Sequence, residues 1–135
     1  MIYRDDKNKA SMSLPYTTLK PQGSDNPVDL WKWMEAYEQK SGGNVLAIAH
    51  NGNLSNGIMF PMVDSFSGKD IDKAYADTRI KWEPLYEATQ IKGDGETHPF
   101  LSPNDEFADY ETWDKGNLDL SVPKENDMLQ YEYAR

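Results

Sequence analysis

Val45-Leu46-Ala47-Ile48-Ala49-His50-Asn51-Gly52-Asn53 runs from an apolar stretch straight into a turn, with a histidine at the junction. The apolar part is too short for a helix and lies between Gly43 and Gly52, which predicts a strand buried on both faces. In sheets covered by helices, ligands, metals and catalytic side chains gather at the carboxyl ends of strands. His50 stands at such an end. Its imidazole has two open roles there. It can hydrogen-bond a neighbouring loop and close the strand, or it can act as a nitrogen ligand for zinc, manganese or iron.

Upstream, Met1 to Arg4 reads as the tail of a strand, and Pro15, Pro21 and Gly23 mark a long polar loop. Asn26 or Asp25 then caps a helix that has Pro27 at its first position. Leu30, Trp33, Met34 and Tyr37 form its apolar stripe, and Gly42-Gly43 ends it after Ser41. Downstream, a long loop with Asn51-Gly52, Asn56-Gly57 and Ser67-Gly68 leads to a second helix from Asp70. That helix carries Ile71, Ala74, Tyr75, Thr78 and Trp82 on one face and stops before Pro84. A strand over 85–91 follows.

Strand, helix and strand in this order make a parallel, right-handed crossover unit, so the loops after the two strands share one edge of the sheet. His50 opens the first of those loops, and Asp94, Glu96 and His98 belong to the second. All four residues are therefore expected on one rim. Further on, Ser102-Pro103-Asn104-Asp105 predicts the start of a short helix with Phe107, Tyr110 and Trp113 as its stripe, ending near Lys115-Gly116. A last helix over 125–135 reaches the end of the chain without a glycine cap, so that end reads as cut.

The chain has 135 residues, enough for one core and one domain, so residues 1–135 are read as a single segment. Its 23 acidic and 14 basic residues leave a formal net charge of -9, which would repel a phosphate backbone and argues against a nucleic-acid partner. An acidic surface favours solubility. No apolar stretch approaches the roughly 18 residues that a membrane span needs, and the polar start Met1 to Ala10 has no signal-peptide core. Without cysteine, disulfides and thiolate metal sites are excluded, so a metal would rely on histidine and carboxylates.

Asp94-Gly95-Glu96 lacks the alternating acids and later glutamate of a calcium loop, and the chain contains no phosphate-cradling glycine loop and no Gly-x-Ser-x-Gly elbow. The chain has two histidines, too few for a complete two- or three-metal hydrolase site unless many carboxylates join. Thr97-His98-Pro99 also reads as a simple turn, and Asp94 and Glu96, which flank glycine, as solvated loop acids. Against those readings Glu96 and His98 are the candidate catalytic residues on the rim.

The stretches Pro27-Val28-Asp29-Leu30-Trp31-Lys32-Trp33-Met34-Glu35-Ala36-Tyr37-Glu38, Ala47-Ile48-Ala49-His50-Asn51-Gly52-Asn53-Leu54-Ser55-Asn56-Gly57 and Thr89-Gln90-Ile91-Lys92-Gly93-Asp94-Gly95-Glu96-Thr97-His98-Pro99-Phe100-Leu101-Ser102-Pro103 resemble the domain of unknown function 3604 family. That family is similar in turn to the polymerase and histidinol phosphatase (PHP) superfamily of metal-dependent phosphoesterases. The resemblance implies part of a distorted α/β barrel, with this chain an interior segment of a longer protein. It also implies a small-molecule or phosphoester substrate and a divalent metal, zinc, manganese or iron, in the full-length protein. His50 matches the position of a metal-ligating histidine at a strand end. A metal-dependent phosphoesterase site would give Glu96 and His98 the role of a further ligand or a proton shuttle. The His-x-His and Asp-x-His pairs that supply other ligands are absent, so the segment is expected to be inactive alone and to hold no metal by itself. Related full-length proteins look exported to the periplasm. The alternative is a non-catalytic binding or structural α/β module. A piece cut from a barrel would expose sheet edges, which predicts marginal stability or self-association.

Overall fold

The computed structural model describes residues 1–132. Helices and short strands are mixed along the chain, consistent with the α/β class, and among the described residues the strands form three separate two-stranded sheets. In order they are β1 (Ile2–Tyr3), α1 (Lys7–Ala10), α2 (Pro27–Ser41), β2 (Val45–Leu46), β3 (Ile48–Ala49), α3 (Lys73–Trp82), β4 (Leu85–Tyr86), β5 (Thr89–Gln90), β6 (Gly93–Asp94) and α4 (Asn126–Glu132). The chain divides into two compact units. One comprises Met1–Ile48 and Asp72–Leu85, and the other Ala49–Ile71 and the described residues from Tyr86 onward.

In the first unit, α2 begins and ends where its local chemistry dictates. The Asn26 side chain accepts the Val28 N–H, Pro27 opens the helix, and Gly42 adopts the left-handed conformation at φ 61° and closes it. The buried stripe is Trp31, Met34 and Tyr37, with Trp33 only half-buried, so the expected face is rotated toward Trp31. With Val45, Ala47 and Trp82 these residues form the core, and Tyr3, Val28, Leu30 and Tyr75 pack around it. Trp31 meets Tyr75 edge to face at 5.1 Å and donates its indole N–H to Glu83 Oε1 at 3.1 Å. The helix expected from Asp70 starts later, because Asp72 caps it by accepting the Tyr75 N–H.

The apolar run 45–49 is not one strand buried on both faces. Val45 and Ala47 are buried while Ile48 is exposed, so burial alternates as in a half-covered strand. The run also divides at Ala47, whose N–H goes to the Trp82 carbonyl. Before that point β2 pairs antiparallel with β1, Tyr3 opposite Val45, and after it β3 pairs with β4. The expected strand over 85–91 likewise divides, into β4 and then β5, which forms an antiparallel hairpin with β6. Ile91 lies at the hairpin tip, 98% exposed. Among the described residues no helix forms over 102–116. Turns replace it, with Ala108 buried and Phe107 and Tyr110 exposed. The terminal helix is present as α4; its expected continuation over 133–135 lies outside the described residues. No helix among the described residues is long and apolar enough to cross a membrane.

Asp5 ties the start of the first unit to the end of α2. Its Oδ2 accepts the Asn44 N–H at 2.8 Å and the Tyr37 hydroxyl at 2.9 Å, and Oδ1 lies 3.6 Å from Lys9 Nζ. The Asn44 N–H holds its carboxyl below the usual 3.8. Desolvation opposes that shift, while Tyr37 and Lys9 reinforce it. A depressed folded-state value means that the carboxylate stabilises the fold above 3.8, and that this contribution is lost as pH falls through the folded value. Asp5→Asn will therefore destabilise this unit at neutral pH and flatten its loss of stability below about pH 4. Urea unfolding over a pH series checks this, and parallel pH profiles for the two proteins would refute it.

Candidate functional site

The site is built in the second unit on the residues that follow two paired strands. His50 comes directly after β3 and Glu87 directly after β4, and because β3 and β4 are hydrogen-bonded neighbours the two side chains emerge together. His50 Nδ1 lies 3.2 Å from both Glu87 oxygens. The Asn51 N–H also donates to Glu87 Oε2, at 3.0 Å, and fixes the carboxylate from the other side. The Glu87 side chain is 23% exposed and the His50 side chain 65%.

A carboxylate facing Nδ1 selects the tautomer with the proton on that nitrogen and leaves the lone pair on Nε2. Nε2 makes no hydrogen bond among the described residues. This geometry suits a nitrogen ligand or a base. Asn51 is in the left-handed region at φ 60°, and its side-chain oxygen is buried without a hydrogen-bond partner. A buried acceptor left without a donor costs free energy, so the residue next to His50 holds an oxygen that a ligand could satisfy. Beyond it, the turn Gly52–Leu54 is held by the buried Asn53. The Asn53 side chain donates to the Lys92 carbonyl and accepts from Gln90, and its own carbonyl accepts from Lys124.

His98 is arranged differently. It is 9% exposed, its Nε2 lies 2.8 Å from Asp114 Oδ1, and its Nδ1 accepts the Phe100 N–H at 3.1 Å. The N–H from Phe100 leaves Nδ1 unprotonated, so Nε2 carries the proton and donates to Asp114. Both nitrogens are engaged, and the His98 carbonyl accepts the N–H groups of Leu101 and Ser102. Asp94 is buried and closes its own loop by accepting from the Glu96 and Thr97 N–H groups, while Glu96 is exposed. The structure thus pairs each histidine with a separate carboxylate, and among the described residues no three histidine or acidic side chains are grouped to hold a metal ion.

The model of a family described as "Protein of unknown function (DUF3604)" matches residues 1–135. The chain belongs to the DUF3604 family. No curated protein and no solved structure matches it.

In this DUF3604 chain the sequence places His50 at a strand end but does not reveal Glu87, because the pattern over 85–91 predicts one strand with Glu87 inside it. Ending that strand after Tyr86 would have put Glu87 at the same position as His50, one residue beyond a paired strand. Asp114 carried no comparable signal. It lies 16 residues from His98 in a stretch of turns, where no periodicity predicts a partner.

Proposed function

We propose that this DUF3604 chain is a segment of a metal-dependent hydrolase of phosphoesterase type, with a PHP-like distorted α/β barrel in the full-length protein. The observation that carries the reading is the clamp of Glu87 on His50 Nδ1, which leaves Nε2 as a nitrogen donor. Histidine ligands commonly donate their other ring N–H to a carboxylate, which orients the ring and raises its basicity. The donor set fits one ligand position for zinc, manganese or iron, backed by Glu87, with further ligands supplied from outside this chain. Once bound, such a metal would lower the pKa of a coordinated water and offset charge on a phosphoryl group.

In this reading Glu87 holds the tautomer and direction of His50, and Asn51 fixes Glu87 in turn. Glu96, exposed beside the fixed Asp94 loop, is kept as a candidate for substrate contact or proton transfer. His98 would have to break its bond to Asp114 or to Phe100 before serving either role. The exposed side chains of Leu14, Leu19, Ile58 and Ile91 support a segment of a larger domain, and self-association of the isolated chain is part of the same proposal.

The test uses the longer protein that carries this segment. His50→Ala will lower its metal content and its phosphatase activity together, and Glu87→Gln will weaken metal affinity by about 10–100-fold with the fold intact. Unchanged metal content in both variants would overturn the assignment.

A further inference from the structure

A second feature of the same unit is independent of His50. Beside the Asp94 loop, Glu96, Thr97, Asp105, Phe107 and Tyr110 line an open cleft of about 580 Å³. The helical spacing of Phe107, Tyr110 and Trp113 predicts a buried stripe, but Phe107 is 70% exposed and Tyr110 67%. The cause is a local turn. Asp105 Oδ1 accepts the Phe107 N–H, the Asp105 carbonyl accepts from Ala108, and Phe107 O accepts from Tyr110. Ala108, fully buried, pins this turn to the unit, so the aromatic residues on either side of it are left in the cleft.

Neither ring is paired with another aromatic ring or covered by a cation among the described residues. The cleft carries Asp94, Glu96 and Asp105, and no lysine or arginine lines it. The Glu96 side chain makes no hydrogen bond or ion pair among the described residues. Exposed aromatic faces beside uncompensated carboxylates attract one chemical class strongly. An organic cation gains cation–π attraction from the rings and Coulomb attraction from the acids, and it covers apolar surface that an inorganic ion leaves wet.

We propose that this cleft binds a small organic cation bearing a substituted ammonium group, set against the rings of Phe107 and Tyr110 with its charge toward Glu96 and Asp105. A neutral ligand of the same shape would forgo the carboxylates. Sodium would forgo the rings.

The experiment titrates tetramethylammonium chloride into the chain at constant ionic strength, following the ring resonances of Phe107 and Tyr110 by NMR. Sodium chloride and the neutral isostere tert-butanol serve as the comparison probes. The expected result is a saturable shift with tetramethylammonium alone, weakened roughly threefold to thirtyfold in Tyr110→Ala. The double variant Glu96→Gln with Asp105→Asn is expected to weaken it as well. Both sets of substitutions are at exposed side chains, so far-UV circular dichroism should remain unchanged. No saturation, an equal response to tert-butanol or to sodium, or full binding by Tyr110→Ala would each overturn the proposal. None of these outcomes bears on metal binding at His50.

Discussion

Trp31→Ala will lower the stability of the first unit by about 3–5 kcal/mol, the range for removing a large aromatic side chain from a packed core. The indole is 2% exposed and touches three kinds of partner at once. It packs against Tyr75, lies under the Arg79 guanidinium at 6.0 Å, and donates to Glu83 Oε1. Alanine would leave a cavity between α2 and α3 and take the indole donor from a carboxylate whose side chain is only 9% exposed. Arg79 still pairs with Glu83 Oε2 at 3.0 Å, so the charge stays compensated and the loss stays within the range for the cavity. Lys32→Ala, one residue along on the exposed face, should change stability by less than about 0.5 kcal/mol. Hydrogen exchange at the Met34 and Val45 amides reports on this unit alone. A loss below about 1 kcal/mol would mean that the core does not depend on the indole.

Helix α2 was legible because its signals are local, whereas α1 lies in a stretch whose polar residues predict loop. Asn26, Pro27 and Gly42 each act within a turn of the helix end they define, so α2 appears where the residues place it. For α3 the sequence places the cap at Asp70, two residues before the Asp72 that the structure uses. Asp70 is instead bridged to Val63, and Ile71 donates to the Met62 carbonyl, so the loop takes those residues and Asp72 becomes the cap. Nothing within a few residues of Asp70 reveals a partner in the preceding loop.

Strands were less legible because a strand is defined by its partner. The apolar run at 45–49 is continuous in sequence, yet its first half pairs with β1 and its second with β4. The same limit shaped the site. His50 could be placed by its position after an apolar run, whereas Glu87 required the end of β4 to be known. The expectation that a shared rim would gather four residues failed to account for local competition. Asp94 spends its carboxylate on its own loop, and His98 is held by Phe100 and Asp114. Phe107 and Tyr110 show the converse error, since spacing of three residues suits a turn as well as a helix. There the sequence pattern predicted core and the structure supplies an exposed aromatic surface.

Gly93→Ala will destabilise the second unit by roughly 2–4 kcal/mol, combining backbone strain with a steric clash. Gly93 sits at φ 105°, where an L side chain is strained, and a Cβ there would lie 2.4 Å from the Glu111 carbonyl oxygen. That carbonyl accepts the Asp94 N–H at 2.8 Å, so it cannot move away without giving up the bond that joins β6 to the 111 region. Gly42→Ala isolates the strain, because Gly42 has φ 61° and nothing within 4 Å of a Cβ; it should cost only about 1–2 kcal/mol. The excess loss for Gly93→Ala contains the clash together with the greater strain of an L side chain at φ 105°. Its consequence reaches the cleft, since Asp94 organises Glu96 and Thr97 and the Glu111 region leads to Asp114, the partner of His98. Gly93→Ala should therefore shift the His98 and Tyr110 ring resonances as well as lower the midpoint of chemical unfolding. Equal losses for Gly93→Ala and Gly42→Ala, with the His98 resonances unmoved, would show that the approach of Glu111 to Gly93 does not hold this loop in place.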